Sequence, residues 1–335
     1  MRVWCVGAGA IGGTVAARLA RAGQDPIVID RDPEHVRQLR APGLRVDGLD
    51  GGVVTPLGAY TPGEAAALPG RCDLLLLAVR SGATEPALVP LVPRLGPETD
   101  VVSLQNGLNE ERIAALIGAP RTIGCVVGFG ATWIGPGRVE VTSSGELVIG
   151  RLDGTTDERL ERAAGLLAHA FPTRTTDNIV GALWGKMLVN AVTVLGALGG
   201  LLLGDLVAWN PRVLAYVVAE GVDVATAEAV RLDDVFSLVP AALVATRGEG
   251  WLETLERALG AVGRHFGRVK SVTWRDFELG RPTEIAAVTG EIVRRGAVRR
   301  VATPLNAAAY AMLREIEAGG RRIARSNLEA LAALQ

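Results

Sequence analysis

The segment Gly7-Ala8-Gly9-Ala10-Ile11-Gly12 follows directly on the apolar run Val3-Trp4-Cys5-Val6 and leads into a helix-like stretch, 14–22. Strand, glycine turn and helix in that order form the first half of a βαβ unit that binds a dinucleotide. Each glycine has its own task. Gly7 lets the chain turn sharply out of the strand, Gly9 lets backbone approach a pyrophosphate, and Gly12 lets helix pack close to strand. The first N–H groups of the helix are unpaired and carry a partial positive charge, which suits phosphate. In a chain with 42 glycines such a motif arises by chance, so context carries the argument: a second strand-like run, 26–30, follows and ends in Asp30.

An acidic side chain at that strand end accepts hydrogen bonds from the adenosine ribose hydroxyls, which favours NADH over NADPH. Arg31 follows immediately, and Arg80 closes a later strand; guanidinium groups there are suited to a 2′-phosphate, so NADPH stays open. The plain alternative is an Asp-Arg pair that only solvates a strand end.

A formal net charge of −1 argues against a broad nucleic-acid footprint and against a polybasic membrane patch. Cys5, Cys72 and Cys125 are odd in number and far apart in apolar runs, which suits reduced core thiols and neither a disulfide framework nor a metal site. The glycine loop interrupts the only apolar stretch near Met1, so the sequence predicts no secretory leader and a cytoplasmic location. The longest apolar segment, 187–203, contains Asn190 and Thr193 and is short for a bilayer crossing; it reads as a buried helix.

Strand-like runs recur at 2–6, 26–30, 73–79, 100–104, 121–128, 138–141 and 146–149, with helical stretches such as 33–40 and 109–117 between them. Several runs are continuously apolar, as expected of strands buried on both faces of a parallel sheet. The fold class is therefore α/β: a doubly wound Rossmann-type domain over 1–176, then an all-α domain over 177–335, where long Ala/Leu/Val-rich segments begin and Asp177 can cap the first helix. His35, His169 and His265 lie in ordinary amphipathic surroundings and read as surface or half-buried residues. None of the three tyrosines begins a Tyr-x-x-x-Lys pair, which removes short-chain dehydrogenase chemistry.

Of 35 basic residues only two are lysines, Lys186 and Lys270. Lys186 sits in the apolar stretch Leu183-Trp184-Gly185-Lys186-Met187-Leu188-Val189-Asn190, where burial lowers a lysine pKa. Lysine can donate a proton near neutral pH and arginine cannot. Asn190, at i+4, shares its helix face, and an ammonium beside a carboxamide suits a small polar ligand. The competing reading is a helix-start lysine with its head in water. Asn106, in Gln105-Asn106-Gly107 at the end of a strand, either contacts the nicotinamide half of the cofactor or the substrate at the sheet edge, or only forms an Asn-Gly turn. Glu284, in Gly280-Arg281-Pro282-Thr283-Glu284-Ile285, on its own only favours a helix dipole.

Taken together, GAGAIGG at 7–13, QNG at 105–107, GPGRV at 135–139, LWGKMLVNA at 183–191 and GRPTEI at 280–285 resemble the ketopantoate reductase family, the 2-dehydropantoate 2-reductases. The resemblance runs in order through nearly the whole chain. It implies a Rossmann domain, a helical C-terminal domain like that of 6-phosphogluconate dehydrogenase, and a cleft between them. It further implies that Lys186 protonates the ketone oxygen, that Glu284 helps position substrate and cofactor, and that Asn190 and Asn106 bind substrate. Departures are also visible. Val194 stands where pantoate-forming members carry a second asparagine, Ser271 lies beside the position of the serine that holds the substrate carboxylate, and Asp30 differs from the usual NADP-type strand end.

The expected activity is NAD(P)H-dependent reduction of a small 2-keto acid to a 2-hydroxy acid. An NAD-dependent D-2-hydroxyacid dehydrogenase with a more apolar substrate is the alternative, and a non-catalytic dinucleotide sensor is a second, of another class. Apolar segments 201–207 and 213–218 are suited either to a homodimer through the helical domain or to its interior.

Overall fold

In β1 (Val3–Val6) Val3 and Cys5 join one apolar core while Trp4 and Val6 join another, so successive side chains bury opposite faces of the same strand. The computed structural model describes residues 1–235 and 237–335. It divides into two units, Met1–Ile179 and Val180–Gln335.

The remaining strands are β2 (Ile27–Ile29), β3 (Leu44–Gly48), β4 (Val53–Thr55), β5 (Gly58–Tyr60), β6 (Cys72–Leu77), β7 (Leu95–Ser103), β8 (Thr122–Val127), β9 (Gly130–Gly135), β10 (Arg138–Ser143), β11 (Leu147–Arg151) and β12 (Thr173–Thr175). Eight of them form one sheet in the order β12-β11-β8-β7-β6-β1-β2-β5. Every neighbouring pair is parallel except β11 with β8. The strand order reverses between β1 and β6, the switch point at which ligands of open α/β sheets bind. This is the Rossmann-like half read from the sequence.

A second sheet, β4-β3-β10-β9, was not foreseen beyond the single run at 138–141. Its strands are short, and in β3 buried Leu44 and Val46 alternate with Arg45 and Asp47, a pattern easily read as loop. The inner face of this sheet, Leu44, Val46, Val139 and Val141, shares a core with Val15, Ala16 and Leu19 of the helix Ala10–Arg21.

The second unit is helical. Among its described residues there is no strand, only an isolated bridge between Val235 and Val239. Its first helix, Ile179–Gly199, has 21 residues and is apolar enough to cross a membrane by composition. Most of it is buried, and its end is held from within the unit, since the Leu198 carbonyl accepts from the Ala324 N–H and the Asn327 amide. Asn178 rather than Asp177 directly precedes that helix. In Pro211–Ala227 the side chains of Val213, Leu214, Ala215, Val217 and Val218 are fully buried in the single chain. Of the two segments read as either dimer surface or interior, 213–218 is interior, with only Tyr216 half-buried.

Asn109 opens the helix Glu110–Ile117, and Glu110, its first residue, is buried with Oε1 unpartnered. The helix N-terminus favours the carboxylate, but burial outweighs it and pushes the Glu110 carboxyl up from 4.5 to about 7. The folded state thus holds the proton more tightly than the unfolded chain. The stability this gives is complete below pH about 4.5 and is lost as pH rises to about 7. Glu110→Gln keeps the neutral shape, so its unfolding free energy relative to wild type should climb across that window by about 3 kcal/mol and level off above it. Urea unfolding at a series of pH values measures this; a constant difference would mean that Glu110 does not titrate in the fold.

Candidate active site

Four loops leave the C-terminal ends of adjacent parallel strands: 7–9 after β1, Asp30 after β2, Arg80 and Ser81 shortly after β6, and 104–109 after β7. In the first, Gly7 has φ +92°, and a Cβ there would stand 2.9 Å from the Ala78 carbonyl carbon. A Cβ at Gly12 would overlap the Gly7 carbonyl oxygen and lie 2.7 Å from Ala78 Cβ. A Cβ at Gly9 would meet nothing within 4 Å. Two glycines are therefore fixed by packing, while the middle one borders open space. Gly9 also occupies the cap position of Ala10–Arg21 with no side chain capping the helix, which leaves its first N–H groups for a ligand. Ala8 is fully buried, and Ala10 and Ile11 are half-buried. The loop fits a dinucleotide pyrophosphate.

Asp30 is half-buried, and its carboxylate accepts from the Ala8 N–H at 2.8 Å and from the Asp32 N–H at 3.0 Å. A carboxylate offers about four acceptor positions, so two remain for ribose hydroxyls. Arg31 and Arg80 are exposed.

After β7 the chain turns at Gly107, φ +86°, and half-buried Asn106 sits in that turn. The turn is more than a local Asn-Gly motif. The Asn106 carbonyl accepts from Ser81 Oγ at 2.8 Å and from Asn109 Nδ2 at 2.8 Å. Gln105 donates to the Val79 carbonyl at 2.8 Å and to Thr84 Oγ1 at 2.9 Å. These bonds join the loops after β6 and β7 at the sheet edge. Gln105 was quoted in the sequence only as part of a motif, because a buried tie has no periodic signature.

In the second unit, Lys186 and Asn190 lie one turn apart on Ile179–Gly199, both half-buried, and Val194 on the next turn is buried. Burial holds the Lys186 ammonium below the ordinary lysine range. Lys270 differs, forming an ion pair with Glu278 and standing over the Trp274 ring at 4.1 Å. Ser271 caps Val272–Glu278, its Oγ accepting from the Trp274 N–H at 3.2 Å. Glu284 is half-buried just before the short turn Ile285–Ala287. Thr283, beside it, is fixed to Glu317 by its N–H at 2.9 Å and its hydroxyl at 2.6 Å.

His35 is not the surface or half-buried residue expected. It is 2 % exposed, because its helix, Pro33–Arg40, turns it inward onto the glycine loop. Cys5, Cys72 and Cys125 are buried free thiols, all pushed up by burial, and among the described residues no His, Cys, Asp or Glu cluster could hold a metal.

A Rossmann-like sheet with this loop, joined to a helical unit bearing a half-buried lysine of lowered pKa, defines a dinucleotide-dependent oxidoreductase. Residues 3–154 match the family described as ketopantoate reductase PanE/ApbA, and 178–317 match its C-terminal domain. A 2-dehydropantoate 2-reductase of Pyrococcus horikoshii is 30% identical over 326 residues, 96% of this chain and 99% of that one. A crystal structure of a PanE/ApbA family ketopantoate reductase from Ralstonia eutropha JMP134 is 31% identical with a TM-score of 0.81, covering 96% of this chain and 100% of the other. A ternary structure of D-mandelate dehydrogenase with NADH and anilino(oxo)acetate, 21% identical with a TM-score of 0.81 over 95% of this chain and 99% of that one, shares the fold. The chain belongs to the ketopantoate reductase family and is an NAD(P)-dependent oxidoreductase. That stands against the dinucleotide sensor.

Gly12→Ala should lower stability by about 1–3 kcal/mol, since helix and strand must move apart. Gly9→Ala should leave the melting temperature of the ligand-free protein unchanged and weaken NAD(P)H binding. Thermal unfolding and dinucleotide titration of both variants read the two effects separately; a Gly9→Ala variant that binds as wild type would remove the phosphate-binding role of the loop.

Proposed function

We propose that the chain reduces a small 2-keto acid to the 2-hydroxy acid, as its relatives named 2-dehydropantoate 2-reductase do, with NADH favoured over NADPH. The observation that carries this reading is Lys186, a half-buried ammonium of lowered pKa with a carboxamide one turn away, in a chain whose only other lysine is Lys270. A bound nicotinamide supplies hydride to the ketone carbon. Lys186 holds the proton that the ketone oxygen requires, and its positive charge stabilises the oxygen as negative charge develops there. Asn190 and Asn106 orient the substrate by hydrogen bonds, with Ser271 near its carboxylate and Glu284 helping to position substrate and cofactor.

Asp30 supports the preference for NADH, since a carboxylate welcomes a ribose diol and repels a 2′-phosphate; Arg31 and Arg80 are the groups that would oppose it. Val194, buried where a second asparagine stands in pantoate-forming relatives, supports a second reading. That reading is a D-2-hydroxyacid dehydrogenase with a more apolar substrate. The free buried thiols suit a reducing compartment, and we place the enzyme in the cytoplasm. Turnover of NADH and NADPH with ketopantoate, 2-ketoisovalerate and bulkier 2-keto acids tests the proposal; no activity on any of them would end it.

Lys186→Ala should lower kcat about 100-fold or more with cofactor affinity nearly unchanged. Lys186→Arg should be nearly as poor, because the charge survives without a transferable proton. Full kcat in either variant would remove the lysine from the mechanism. Asp30→Ala should raise kcat/KM with NADPH relative to NADH, and a wild type that already prefers NADPH strongly would assign control to the arginines.

A further inference from the structure

GPGRV at 135–139 and the buried His35 have no part in the chemistry above, yet they meet. The Gly137 N–H, between β9 and β10, donates to His35 Nδ1 at 2.8 Å. On the other side of the ring, His35 Nε2 lies 2.8 Å from the carbonyl oxygen of Ala8. Because Nδ1 accepts, the ring hydrogen belongs on Nε2, and His35 donates to Ala8.

Ala8 is held at both ends of its backbone, its N–H by Asp30 Oδ2 and its carbonyl by His35. The same two holders are joined to each other. Asp30 Oδ1 accepts from the Asp32 N–H, and Asp32 caps the helix Pro33–Arg40 by accepting from the Glu34 N–H at 2.9 Å and the His35 N–H at 3.3 Å. A closed ring of bonds, Ala8 to Asp30 to Asp32 to His35 and back to Ala8, therefore sets the direction of the backbone immediately before Gly9. The ring is buried at Ala8 and His35, where a hydrogen bond is least exchanged with water. The Trp133 ring stands edge-on to the imidazole at 6.3 Å, and Gly137, φ +69°, takes a conformation that favours glycine. The second sheet thus presents one backbone N–H that fixes the tautomer of the histidine.

We propose that His35 is a positioning residue for dinucleotide binding, holding the Ala8 peptide so that the backbone at Gly9 and the N-terminus of Ala10–Arg21 are set for the pyrophosphate before it arrives. The inference rests on the reading of the loop as the NAD(P)H site. A residue that served only to attach the second sheet would act through Gly137 and affect stability alone. A positioning residue acts through Ala8 and affects affinity.

Two substitutions separate the bonds. H35N keeps an acceptor at the place of Nδ1 for Gly137 and loses the donor to Ala8, whereas H35Q keeps a donor at the place of Nε2 and loses the acceptor. Wild type, H35N and H35Q are titrated with NADH and NADPH by calorimetry, and melted with and without dinucleotide. For H35N we expect Kd and cofactor KM to rise about five- to tenfold, the worth of one hydrogen bond, with kcat and keto-acid KM within about twofold of wild type. The melting shift produced by NADH should shrink to match. H35Q should bind within about twofold of wild type even where its ligand-free melting temperature falls. If H35N does not fold, H35Q decides: near-native affinity supports the inference and weakened affinity overturns it. Variants that all bind as wild type does overturn this inference alone, while a wild type that binds neither dinucleotide overturns the reading of the loop and this inference with it.

Discussion

The first unit depends on two close approaches: the helix Ala10–Arg21 against Cys5, Gly7 and Ala78, which leaves no room for a side chain at Gly12, and the glycine loop against the backbone of Ala78 and Val79, which leaves none at Gly7. The helix contact sets where the helix N-terminus points, and hence where partial positive charge collects above the sheet. It also explains why the helix can be covered on its other side by a second sheet. Val15, Ala16 and Leu19 are small or flexible enough to serve a common core, and Gly13 comes close to Leu44. The helix lies between two sheets and has little freedom to shift. A phosphate-binding terminus is more effective when it need not be ordered on binding.

Much of this was legible because the signals are local. β1, β2, β6 and the helix Pro33–Arg40 are short patterns of apolar and capping residues, and the three glycines differ in ways that spacing alone predicts. Lys186 was legible by contrast with 33 arginines elsewhere. What could not be read depends on residues far apart in the chain. β3 pairs with β10 across some ninety residues, and His35 meets Gly137 across 102. Nothing in the stretch around His35 distinguishes an imidazole that faces solvent from one turned onto a loop. Gln105 is similar, since its role lies in the carbonyl of Val79 and the hydroxyl of Thr84.

In the proposed mechanism, the lysine and the glycine loop solve opposite electrostatic problems. At the loop, positive potential comes from backbone dipoles, which cannot be lost by titration and cost little to hold in place. At Lys186 it comes from a side chain whose burial makes the charged form easier to give up. A group that only binds an anion gains nothing from a lowered pKa, and an arginine would serve it better. A group that must release a proton gains directly, because a weaker hold on that proton brings its pKa closer to the working pH.

Burial is what lowers the Lys186 pKa. A carboxylate held against the ammonium would raise the pKa again and oppose burial, stabilising the charge while slowing release of the proton. Glu284 stands beside Thr283, which Glu317 fixes through both backbone and hydroxyl. Burial ties the proton affinity of Lys186 to the apolar helix that carries it: whatever lets water reach the ammonium raises the pKa, and whatever excludes water lowers it. In the proposed mechanism, a substrate that displaces water from the ammonium would therefore strengthen the acid as the reaction calls for one.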